Sequence, residues 1–202
     1  MIHMAGQDLG TLHDVDIREP LFDFLEESYG KIRILEEKVT GKARADVVMV
    51  TPRLIYGMEI KSDADTYVRL SRQVKSYDLY YDRNIVVAGS SHAYHVEEHV
   101  PGYWGIITVE RDGDRLDFYV LREAADNPRV KPERKLTFLW RPELNHILEL
   151  NGLPRYRDKS KRFVQEKLLE KVPAEILWPQ AMDELFERDY ERTLREIEEY
   201  RR

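Results

Sequence analysis

Residues 45–61 hold two apolar runs separated by Pro52-Arg53, and each run carries one carboxylate. Asp46 is followed by Val47-Val48-Met49-Val50, and Glu59 by Ile60 and Lys61. Short runs rich in β-branched residues and bounded by turn residues predict strands. A two-residue turn at Pro52-Arg53 makes them a hairpin in which Asp46, six residues before Pro52, faces Glu59, six residues after Arg53. Facing residues of an antiparallel ladder share one side of the sheet, with Cβ atoms about 5 Å apart. Strand alternation puts Lys61 on the side of Glu59. Two carboxylates this close in an apolar sheet repel each other and are costly to bury without a proton, a basic partner or a cation. Two acids and one ammonium converging on a point suit Mg²⁺, which takes a few carboxylates, waters and substrate phosphate. A buried salt bridge from Lys61 to one acid accounts for the same spacing, so spacing alone leaves both readings open.

The rest of the chain sets this hairpin in context. Residues 1–15 read as a loose leader. Asp16 starts a helix, with Asp16 and Glu19 as a capping box and Pro20 in the first turn. Ile17, Leu21, Phe24 and Leu25 form its apolar stripe, and Gly30 is its stop. Strands are expected over 31–39, 45–50 and 54–61, then a helix over 66–81 with Tyr67, Leu70, Val74, Tyr77 and Tyr81 at three-and-four spacing. A strand over 84–88, a short helix over 91–99 and a hairpin of 104–109 with 115–121 around Asp112-Gly113 follow. From Glu123 onward the pattern is helical. Pro142 starts one helix whose face is Leu144, Ile147, Leu148 and Leu150, closed by Gly152. Another runs through Phe163, Val164, Leu168 and Leu169, and a last one over about 182–200. The predicted organisation is a leader over 1–15, an α/β (α+β) core over 16–122 with a mixed sheet flanked by helices, and a helical C-terminal extension over 123–202.

The string Asp46, twelve residues, then Glu59-Ile60-Lys61 resembles the PD-(D/E)XK nuclease superfamily. Ala45 stands where that motif has proline. A helix before the hairpin and a helix and strand after it match the superfamily's restriction-endonuclease-like core. Gln73 and Tyr77, one helical turn apart, resemble the Q-x-x-x-Y motif of RecB-like nucleases. The chain looks most like small bacterial and phage members of that superfamily. The resemblance implies metal-dependent hydrolysis of phosphodiester bonds, most simply in DNA, with Mg²⁺ or Mn²⁺ held by Asp46, Glu59 and the Ile60 carbonyl. Lys61 would orient the attacking water, and Gln73 and Tyr77 would order the site or contact phosphate. It further implies an acid from the first helix in the metal site, for which Glu19 and Glu26 are the candidates. The alternative is a non-catalytic nucleic-acid or protein binding module on the same fold.

Composition narrows the rest. The 202 residues include no cysteine, which excludes disulfides, thiolate zinc sites and cysteine nucleophiles. A net charge of -6 does not suit a passive nucleic-acid coat. A local basic segment with Arg155, Arg157, Lys159, Lys161 and Arg162 is nevertheless a candidate phosphate-contacting patch. No apolar run spans a bilayer and no secretory signal is visible, so a cytoplasmic protein without membrane partners is expected, with a homodimer as one possible state. His95-Val96-Glu97-Glu98-His99 fits H-x-x-E-H, a zinc-peptidase signature, but the available helix is short and ends at Pro101.

Overall fold

The computed structural model describes residues 11–40, 43–89 and 92–188. Helix α1 (Asp14–Tyr29) leads into strands β1 (Arg33–Thr40), β2 (Ala43–Val50) and β3 (Ile55–Lys61). A single 3₁₀ turn, Tyr67–Arg69, opens α2 (Leu70–Tyr77), which returns the chain to β4 (Arg83–Gly89). Strands β5 (Gly105–Asp112) and β6 (Arg115–Arg122) complete the sheet, and α3 (Pro132–Lys135), α4 (Arg141–Leu150), α5 (Lys161–Lys171) and α6 (Ala174–Phe186) follow.

The six strands lie in sequence order across one mixed sheet. Strands β1 to β3 form an antiparallel meander, β3–β4 and β4–β5 are parallel, and β5–β6 is antiparallel. The parallel β3–β4 pair needs a crossover, which α2 supplies. Strands β3 and β4 are buried on both faces, so apart from Glu59 and Lys61 in β3 and Arg83 and Asn84 at the start of β4 their residues do not alternate between apolar and polar.

Helices cover both faces. On one, Ile17, Leu21 and Leu25 of α1 pack on Val47, Met49, Met58, Ile60, Val87 and Ile107. On the other, α2 and the C-terminal helices share one core with Val48, Val50, Val86 and Ala88, reached through Leu144, Ile147, Leu168, Leu177 and Leu185. The fold is thus α+β with a helical C-terminal region whose apolar faces are covered by the sheet. Arg188, just past α6, ties this region together: its buried guanidinium meets Glu143 of α4 at 2.6 and 2.8 Å and stacks over Trp140.

Several expectations need correction. Helix α1 starts two residues before Asp16, because the Asp16 carboxylate accepts the His13 N–H at 3.0 Å as a third-position acid. The Asp16–Glu19 capping box therefore does not form, whereas Gly30 does end the helix, at φ 72°. The helix expected over 66–81 is shorter, since Asp78 leaves it to accept hydrogen bonds from Trp104 Nε1 at 3.0 Å and the Tyr103 hydroxyl at 2.6 Å. In place of a helix over 91–99 there is one 3₁₀ turn, Val96–Glu98. Leu150 is exposed rather than part of the buried face of α4. The last described helix starts at Ala174, eight residues before its expected start, and ends at Phe186; the expected span beyond Arg188 lies outside the described residues.

Candidate active site

The hairpin turns at Pro52-Arg53, and its register runs from Val50–Ile55 to Val47–Met58. That is the offset at which Asp46 would oppose Glu59, yet the ladder opens just before that pair. The Asp46 Oδ2 atom, in place of a main-chain carbonyl, accepts the Ile60 N–H at 2.9 Å. The two carboxylates therefore sit at the mouth of a parting between β2 and β3, where the sheet stops being continuous.

Glu59 and Lys61 are almost wholly buried, at 1% and 3% exposure. Lys61 Nζ lies 2.6 Å from Glu59 Oε1, which also accepts a hydrogen bond from Gln73 Nε2. The Tyr77 hydroxyl donates to Glu59 Oε2 at 2.7 Å. Gln73 and Tyr77 reach the same carboxylate because they lie one turn apart on α2. Burial and the Glu59 charge push the Tyr77 hydroxyl well above the usual tyrosine range. Two further contacts position α2. Gly57 on β3 lets the Tyr81 ring lie where a Cβ would come within 2.2 Å of it. Asn127 Nδ2 fastens the end of the helix through the carbonyls of Asp78 and Tyr81, at 2.9 and 2.7 Å.

Asp46 lacks such company. Burial, then the Glu59 charge, raise its carboxyl to about 7, and the Ile60 N–H and Lys61 offset this only in part. Asp14 of α1 adds to the rise. Arg18 joins these two acids: it donates to Asp14 Oδ2 at 3.0 and 2.8 Å and to the Asp46 carbonyl at 3.1 Å, with Asp46 Oδ1 3.8 Å away. Among the described residues, the other Asp14 oxygen, Oδ1, is buried without a hydrogen-bond partner, as is Gln73 Oε1.

The first-helix acid beside Asp46 is therefore Asp14 and not Glu19 or Glu26. Both glutamates are exposed, and neither side chain makes a hydrogen bond or ion pair among the described residues. Asp14 and Arg18 went unrecognised in the sequence, although their four-residue spacing is a helical ion-pair signal.

The basic segment after α4 is used differently from the expectation. Arg155 pairs with Glu149, and Arg162 with Glu166 at 2.9 Å. Lys161 donates to the Thr137 carbonyl at 2.9 Å, and burial lowers its pKa. Lys159 lies over the Phe163 ring, and Arg157 is exposed. His95 and His99 flank the 3₁₀ turn, one against Glu98 and the other against Tyr67, so the helical geometry of a zinc-peptidase motif is missing. Among the described residues, no group of three or more His, Asp or Glu side chains is arranged to hold a metal ion.

The fold and this acidic, lysine-bearing cluster define an α+β protein with a charged centre built on a mixed sheet. The chain belongs to the bacteriophage P4 protein cII family, which matches residues 9–199. No curated protein and no solved structure matches it. No helix among the described residues is long and apolar enough to cross a membrane.

Proposed function

We propose that this phage protein is a metal-dependent nuclease that hydrolyses phosphodiester bonds, with DNA as its substrate and Asp46, Glu59 and Lys61 as its centre. The observation that carries the reading is a largely buried cluster in which two carboxylates and an ammonium converge while Asp46 has only a guanidinium shared with Asp14, at 3.8 Å.

The residues fit a hard divalent cation. The donors are all oxygen, and Asp46 is short of positive charge. An ionised carboxylate offers about four acceptor sites, of which Glu59 uses three. Asp46, Glu59 and the Ile60 carbonyl would hold Mg²⁺ or Mn²⁺, with waters and phosphate completing the shell. Bound there, the cation would supply Lewis acidity and an activated water.

The chain's own groups do the rest. Lys61 brings a buried positive charge to the place where negative charge builds at phosphorus. Tyr77 and Gln73 hold the Glu59 carboxylate in one orientation, with one acceptor site left over for a cation. Arg18 fixes the Asp46 main chain through its carbonyl. The test is plasmid nicking in Mg²⁺ and in Mn²⁺ by wild type, D46N and K61A. Wild type should nick, and both variants should lose at least about a hundredfold, the scale of removing one electrostatic stabiliser. Equal nicking by all three, or none by wild type in either metal, refutes the proposal.

A further inference from the structure

The helix that presents Gln73 and Tyr77 to Glu59 has a second, outward side. Arg69, Arg72 and Lys75 recur every third residue on it, and all three are exposed. Over that stretch a helix rises about 9 Å, so the three cations form one short strip. None of their side chains has a hydrogen bond or ion pair among the described residues. Like charges so spaced on a helix repel one another, so the row is not arranged for mutual stabilisation. Its buried counterpart, Leu70, Val74 and Tyr77, already anchors the helix.

The strip has an aromatic border. Tyr67, at the start of the same segment, lies against the rings of His92 and His99, with centroids at 5.0 and 4.3 Å. Its hydroxyl donates to the His92 carbonyl at 2.7 Å, which ties the segment after β4 to the start of α2. Tyr94, two residues beyond His92, is 88% exposed. Unpaired side-chain cations in a row suit a polyanion, and an open aromatic ring on the segment that Tyr67 ties to this helix suits an unpaired base.

We infer that Arg69, Arg72 and Lys75 form the track on which the phosphate backbone of a single nucleic-acid strand lies, with Tyr94 stacking on a base. The inference deepens the nuclease reading and rests on it for direction, since Gln73 stands between this strip and Glu59. It moves substrate contact away from the Arg155–Arg162 segment, where two of the five cations are already paired with glutamates.

The test is fluorescence anisotropy of a labelled single-stranded oligonucleotide in EDTA, so that binding is read without cleavage. Wild type, R69Q/R72Q/K75Q, R155Q/R157Q/R162Q and Y94A are titrated over a range of salt, after thermal melts show that each is folded. Loss of three phosphate contacts should lower the salt slope by about 2 and weaken binding about tenfold or more. Y94A should weaken binding about fivefold or more with the slope unchanged, because stacking carries no charge. The Arg155 triple should bind within about twofold of wild type, since its cations make no phosphate contact in this reading.

An α2 triple with wild-type affinity and slope overturns the track, as does a larger loss in the Arg155 triple. A Y94A variant with wild-type affinity overturns the stacking contact. If the α2 triple loses binding to phosphatidylserine vesicles while its oligonucleotide binding is intact, the strip serves a membrane surface and the inference fails. Failure of the two readings is separable. Strip-dependent binding with no nicking in either Mg²⁺ or Mn²⁺ sinks the nuclease and leaves the track. An α2 triple that binds and nicks like wild type sinks the track and leaves the nuclease.

Discussion

Replacing Asp46 by Asn should convert a pH-dependent weakness of the fold into a pH-independent one. Burial and Glu59 hold the Asp46 carboxyl at about 7 in the folded chain, against 3.8 for an unperturbed carboxyl. At about 1.4 kcal/mol per pH unit, that displacement corresponds to about 4 kcal/mol. A quarter of the side chain is exposed, and solvent screening reduces the expected effect to about 2 kcal/mol. The sign follows from proton counts. Between about pH 4 and pH 7 the folded chain keeps a proton that the unfolded chain has released, so stability falls as pH rises, and the loss is complete above about pH 7. D46N has no such proton, and its amide oxygen can still accept the Ile60 N–H. In EDTA, the melting temperature of D46N relative to wild type should therefore be about 4 to 8 °C higher at about pH 8 than at about pH 4. Other titrating groups cancel in this difference. Mg²⁺ should raise the melt of wild type at the higher pH and leave D46N nearly unmoved, because the cation needs the ionised carboxylate. A melting difference that is the same at both pH values refutes the account of Asp46. A Mg²⁺ shift equal in both proteins refutes its part in metal binding.

Three further changes probe how the site is held. Tyr77→Phe removes the donor to Glu59 Oε2 and should cost about 1.5 to 3 kcal/mol in urea unfolding, the range for a hydrogen bond to a charged group. Gly57→Ala drives a methyl group into the Tyr81 ring and should destabilise by at least about 1 to 3 kcal/mol, with a matching fall in the melting temperature. Arg188→Met strands the buried Glu143 carboxylate and should cost about 3 to 5 kcal/mol by denaturant unfolding, whereas R188M/E143L should recover most of it.

The hairpin was legible because its information is local. Pro52-Arg53 sets the turn and the β-branched run sets the strands, and alternation then carries Glu59 and Lys61 to one side. The Q-x-x-x-Y spacing on α2 was legible for the same reason, since both side chains reach one carboxylate. Helix ends were less legible. Local periodicity continues past Tyr77, but Asp78 is drawn out of the helix by Trp104 and Tyr103, which lie 26 and 25 residues downstream. The role of Asp14 was hidden for a related reason. Its spacing from Arg18 is local, yet only the docking of α1 on the sheet shows that this pair points at Asp46 rather than at solvent. In the basic segment after α4, composition counts charges and cannot see that Glu149 and Glu166 already face two of them.

The charge balance of the cleft explains why Asp46 is the group that titrates out of range. Three carboxylates, Asp14, Asp46 and Glu59, meet two cations, Arg18 and Lys61. Arg18 makes its short contacts with Asp14, at 2.8 and 3.0 Å, and Lys61 makes its own with Glu59, at 2.6 Å. Asp46 is left with a main-chain N–H at 2.9 Å and a guanidinium at 3.8 Å. One N–H is weak compensation for a carboxylate held in a low-dielectric cleft, so the proton is retained. Adding a positive charge beside Asp46 should release that proton, and removing Arg18 should leave two carboxylates short of charge instead of one. R18M should therefore steepen the loss of stability between about pH 4 and pH 7, measured by melts in EDTA. A pH profile of R18M that parallels wild type would show that Arg18 serves packing alone.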